Sequence, residues 1–166
     1  MTRLNLAKHT ILATLSLAAL SLTPTLLGAQ ETPFHQRPGL WLVEMNMLGH
    51  AHSSKQCVSE ASLAYQEKFG AGVRARNHCT ANQFTHNADG SLSDTYTCTG
   101  VDGKRTVSHA TYRGNPNSKF STTLETGPNR QVFTSVFTYA GACPAGMRGG
   151  DMMMDGHVMK MMSKQP

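Results

Sequence analysis

The chain has 166 residues, 15% of them charged and 39% hydrophobic, with a formal net charge of +5. That length supports one modest core rather than several domains. The charge is too small and too scattered for a nucleic-acid surface: the longest basic run is Lys104-Arg105, and no basic stripe is interleaved with aromatics.

At the N-terminus, Arg3, Lys8 and His9 precede a run from Ile11 to Leu22 of aliphatic, small and hydroxyl residues, and Pro24 follows. A charged start and a short apolar middle are the pattern of a secretory signal. The apolar run of about a dozen residues is shorter than the roughly 20 that a bilayer-spanning helix needs, so no transmembrane anchor is expected. Gly28 and Ala29 suit cleavage before Gln30. The expected organisation is a signal peptide over 1–29, a disulfide-stapled β domain over 30–146 and a flexible Met-rich tail over 147–166. The expected location is periplasmic or secreted. Without the leader, 13 basic and 10 acidic residues leave a charge of +3.

The first predicted strand is Leu40 to Leu48, where Trp41, Val43, Met45 and Met47 fall on one face and Glu44 and Asn46 on the other. If the sheet curls, Trp41, Val43 and Met45 can line an apolar ligand pocket; the alternative is that they fill the core. His50 and His52 follow on the same strand face, either as a pair able to share a metal or as part of a solvated loop. Ser59 then caps a short helix to Phe69, with Ala61, Leu63, Ala64, Tyr65 and Lys68 as helix formers and Gly70 and Gly72 as its stop. Beyond it, segments rich in Thr, Val, Tyr and Phe recur between Asp89-Gly90, Asp102-Gly103, Gly114-Asn115-Pro116 and Gly127-Pro128-Asn129. This rhythm predicts strands near 78–86, 91–99, 104–113, 118–125 and 131–140. The expected fold is mainly β: a single antiparallel meander sheet curled into a partial barrel, with one short helix.

Four cysteines, Cys57, Cys79, Cys98 and Cys143, follow the leader, and an even count in an exported chain argues for two disulfides. Cys79 and Cys98 lie symmetrically about Asn87-Ala88-Asp89-Gly90, so a hairpin folded there sets them opposite each other, leaving Cys57 to pair with Cys143. Their spacings do not suit zinc, which usually takes cysteines in close pairs.

Several short motifs occur in order: Arg37-Pro38-Gly39-Leu40-Trp41, then Cys57-Val58 before the helical stretch, Cys79 and Cys98, Thr111-Tyr112-Arg113-Gly114, and Gly141-Ala142-Cys143-Pro144. Together, over about residues 36 to 146, they resemble the bacterial exported family known as domain of unknown function 3617. The resemblance implies a periplasmic or secreted β-rich domain with four ordered cysteines and no assigned activity. Members often place Glu directly after the Trp, whereas Leu42 stands there in this chain and Glu44 comes two residues later. No catalytic residue carries over.

The C-terminal stretch is the most unusual in composition, since Met147, Met152, Met153, Met154, Met159, Met161 and Met162 are seven of the ten methionines. Thioethers stay available where thiols are oxidised, and soft donors select Cu(I) or Ag(I). The candidate metal ligands are Met152, Met153, Met154, His157, Met159, Met161 and Met162; on a helix, Met154, His157 and Met161 would share a face. The competing readings are disorder, or an amphipathic helix that packs its methionines on the domain or on a partner. No Gly-x-Ser-x-Gly elbow, His-Glu-x-x-His helix or phosphate-binding glycine loop is present, and Asp94 and Glu125, a candidate pair across strands, are equally explained as solvated strand residues. The primary expectation is a non-enzymatic binding or interaction module without a cofactor, its partner an unidentified ligand or envelope protein. The alternative is a Cu(I) or Ag(I) binder using the tail.

Overall fold

From Gly39 onward, the alternation of apolar and polar side chains becomes a single open antiparallel sheet. The computed structural model describes residues 34–47, 49–80, 83–160 and 162. The segment expected to be a signal peptide lies outside the described residues. The elements are β1 (Gly39–Met47), β2 (His50–Val58), α1 (Glu60–Arg76), β3 (Gln83–His86), β4 (Leu92–Thr99), β5 (Arg105–Asn115), β6 (Lys119–Thr126), β7 (Gln131–Gly141), β8 (Met152–Met154) and β9 (His157–Met159). They line up as β3-β4-β5-β6-β7-β1-β2-β8-β9. The expected meander is therefore β3 to β7, and the β1–β2 hairpin joins its last strand, with Val43 opposite Phe137 and Trp41 opposite Tyr139. Among the described residues, no helix is long and apolar enough to cross a membrane.

The core sits on one face of the sheet. Trp41 is fully buried and forms a cluster with Val43, Val58 and Phe120, against which Phe34, Met45, Leu63, Phe137 and Tyr139 pack. Phe120 stacks on Phe137 at 4.4 Å between ring centres, and Trp41 meets Phe120 and Tyr139 edge-on at 5.3 and 5.4 Å. Such ring geometries add to the area that the rings remove from water. The indole Nε1 of Trp41 donates to the carbonyl of Arg37 at 2.8 Å, so burying the ring leaves no donor unmet. Gly39 is required here: its φ is +138°, and a Cβ would stand 2.5 Å from the Gly141 carbonyl and 2.6 Å from the Tyr139 ring.

The helix is longer than the sequence predicts. Ser59 caps it as expected, its hydroxyl accepting from the Ser62 amide while the Ser62 hydroxyl accepts from the Ser59 amide. It then runs through Gly70 and Gly72 to Arg76, with Asn77 as C-cap. A glycine in a helix costs only about 1 kcal/mol relative to alanine, which does not stop a helix anchored at both ends. The anchors are the disulfides, paired as predicted: Cys57–Cys143 just before the helix and Cys79–Cys98 just after it. Arg74 and Arg76 in the last turn also suit the negative end of the helix dipole. Leu63 packs on the core, and near the other end Arg74 acts electrostatically on Asp94 and Tyr112 of the same sheet face. Burial pushes the Asp94 carboxyl upward, with Arg74 and His109 opposing it.

Candidate functional site

The Met-rich segment is the site's starting point, and it is not the flexible tail that its glycines suggest. Asp155 and Gly156 both have positive φ, +51° and +77°, which is the backbone of a two-residue hairpin turn. Met154 stands opposite His157, Met153 opposite Val158 and Met152 opposite Met159. Alternation then divides the donors: Met152, Met154, His157 and Met159 leave one face, and Met153 and Val158 leave the other. Directly opposed Cβ atoms lie about 4.5–5.5 Å apart and diagonal neighbours about 7–8 Å, within reach of flexible thioethers converging on one ion. Met152 and Met154 are half-buried, His157 is exposed and Met159 is 39% exposed.

The hairpin is an extension of the domain. Lys55 pairs with Met153 and Gln56 with Met152, and the ladder continues where the Cys57 amide donates to the Asp151 carbonyl and the Gly150 amide to the Cys57 carbonyl. Met152 thereby shares the face of Gln56, which is that of Trp41 and Val43. A clasp closes the open end of the hairpin: the buried Asp151 carboxylate accepts from Lys160 Nζ at 2.5 Å and from the Arg148 amide at 2.6 Å. The hydrogen bond from Lys160 is the main reason that the Asp151 carboxyl is held below the usual carboxylate range. Met147 is buried beside this base. Met162 lies against Gly150, where an added Cβ would meet its Sδ, and so belongs to the base of the hairpin. Met161 lies outside the described residues. The helical face predicted from Met154, His157 and Met161 is replaced by a strand face, because the Asp155-Gly156 turn reverses the chain between the first two.

Other predicted site residues fall differently. Of Trp41, Val43 and Met45, read as a ligand pocket, the first two are taken up by the core and Met45 packs half-buried against it: the rings of Phe120 and Tyr139 occupy the space beside Trp41. Val43 borders an open depression of about 350 Å³ on the opposite face, lined mainly by Leu42, Glu44, Lys55, Met153 and Asp155. His50 and His52 do not continue the first strand. They lie on the returning strand β2, opposite Met47 and Met45. Asp94 and Glu125 do not meet: Glu125 pairs across from His109, whereas Asp94 pairs with Ala110, one position along and so on the other face. Among the described residues, no cluster of three or more His, Cys, Asp or Glu side chains could hold a metal. The signal that sequence reasoning missed was Asp155-Gly156 between Met-Met-Met and His-Val-Met, a hairpin dipeptide flanked by strand-length runs.

No curated protein and no solved structure matches the chain. The model of a family of proteins of unknown function matches residues 36–164, a span that includes both disulfides, the sheet and the Met-rich hairpin. The chain therefore belongs to the DUF3617 family.

Proposed function

We propose that this chain is an exported, non-enzymatic binding module whose ligand is a soft monovalent cation, Cu(I) or Ag(I). The observation that carries this reading is the single-face grouping of Met152, Met154, His157 and Met159 on an anchored hairpin. Three thioethers and one imidazole are a donor set that favours Cu(I) over harder divalent ions. Export is supported by the charged-then-apolar N-terminus and by two disulfides, which are characteristic of oxidising compartments. With all four cysteines bonded, methionine and histidine are the soft donors that remain. Binding rather than catalysis is supported by the pairing of acids with bases: Glu125 with Arg130, Asp89 with Arg113, Asp102 with Lys104 and Asp151 with Lys160. A second reading, an envelope protein partner, is favoured by exposed Leu42, Val107 and Val132, which all leave the face opposite the core.

The test is a titration of Cu(I), kept reduced with ascorbate so that the disulfides stay intact, against a chromophoric competitor. The unaltered protein should take Cu(I) from the competitor, and M154L/H157A should lose the equivalent that the Met-rich hairpin holds. Equal uptake by the two proteins would remove the hairpin as the site.

A further inference from the structure

The β1–β2 hairpin repeats, with other residues, the arrangement of the Met-rich one. Met45 stands opposite His52 and Met47 opposite His50. Each pair of positions is separated by two along its strand, so all four side chains leave the same face. That face carries Trp41 and Val43 and, across β2, Met152. Met47 is 45% exposed, and both histidines are exposed. Burial therefore does not account for a thioether at this end of the sheet. Met45 is half-buried and packs against the core, which fixes one donor of the set. Beside the turn, Gly49, at φ +86°, donates its amide to Asn46 Oδ1 at 3.1 Å. Opposed Cβ atoms about 4.5–5.5 Å apart, with diagonals of about 7–8 Å, allow two imidazoles and two thioethers to reach one ion.

We infer that Met45, Met47, His50 and His52 form a second copper site, separate from the Met152 quartet. The two sets differ in chemistry. Imidazole is a good ligand for copper in both oxidation states, whereas a thioether-rich set selects Cu(I). The β1–β2 site therefore accepts Cu(II) as well as Cu(I), and the β8–β9 site takes Cu(I). The inference extends the soft-metal reading to a second hairpin but stands on its own residues.

The experiment uses the unaltered protein, H50A/H52A and M154L/H157A, each titrated with Cu(II) alone and then with Cu(I) under ascorbate. Electron paramagnetic resonance of the unaltered protein should show one bound Cu(II) with nitrogen hyperfine structure. H50A/H52A should lose that signal and one equivalent of Cu(I), while M154L/H157A should keep the signal and lose the other equivalent. M47L should weaken Cu(I) binding at this site more than Cu(II) binding, because it removes a thioether and no nitrogen. A Cu(II) signal that survives H50A/H52A, or an unaltered protein that takes up no Cu(II), overturns the inference. Loss of Cu(I) in M154L/H157A alone would leave the first site standing without the second, and loss in H50A/H52A alone the reverse. The substituted histidines are exposed, so an unchanged thermal unfolding midpoint confirms that the loss is one of ligands.

Discussion

The two ends of the core-bearing sheet face follow the same alternation and put it to different uses. Across β1, β6 and β7, the large side chains are rings, each covered by another: Trp41 by Phe120 and Tyr139, Phe120 by Phe137 and Phe34. On the β1–β2 and β8–β9 hairpins the same face carries Met47, His50, His52, His157 and Met159, all exposed. The difference teaches that period-two patterning identifies a face without saying whether it is covered. Coverage depends on what the rest of the chain lays over it, and here Phe34 and Leu63 of α1 reach only the aromatic end.

This contrast can be broken or sharpened at four places. The largest effect is expected at Cys57–Cys143, which closes a loop of 86 residues and joins the base of the Met-rich hairpin to the sheet. Chain entropy sets its contribution at about 4–5 kcal/mol. A C57S/C143S protein should show that loss in denaturant unfolding, and a loss below about 1 kcal/mol would mean that packing alone holds the two regions together. Next comes Trp41→Ala, expected to cost about 3–5 kcal/mol as a cavity in the covered end. M154L/H157A should by contrast stay within about 0.5 kcal/mol of the unaltered protein, because its positions are only partly covered. Similar losses in the two proteins would show that the Met-rich face is a second core.

The most local effect concerns the clasp. Lys160 and the Arg148 amide hold the folded Asp151 carboxyl below its ordinary range. Its contribution is therefore complete above the unfolded value of about 4 and is lost as pH falls through the lowered folded value. Amide exchange over 152–159 should accelerate in that acid window while β4–β7 stay protected, and Asp151→Asn should remove the pH dependence at a cost of about 1–3 kcal/mol. Uniform acceleration across the sheet would show that the hairpin is no separate unit.

The sequence foretold most of the fold, and the reasons lie in particular residues. Turn signals such as Asp102-Gly103 and Gly127-Pro128 place the meander because each flanks runs of β-branched and aromatic residues, and the cysteine symmetry about Asn87–Gly90 yields both disulfides. The helix ran past Gly70 and Gly72 because a local propensity of about 1 kcal/mol per glycine is overridden by covalent anchors distant in sequence. Strand β2, with His50, His52, Ser53, Ser54 and Lys55, looks like a loop by composition. It becomes a strand because β1 and β8 pair with both of its edges. The candidate donors were legible as residue types, but their division between two faces was not, because that division follows from a turn two residues long.

The order of the strands has one more consequence. The longest, β5 and β7 with 11 residues each, lie inside the sheet, whereas the two strands at its margins, β3 and β9, have four and three. An unpaired margin is where one molecule can recruit the next by adding strand to strand, the route to fibres and swapped assemblies. Among the described residues that route finds four on one side and three on the other, so the nine strands described offer little template for propagation.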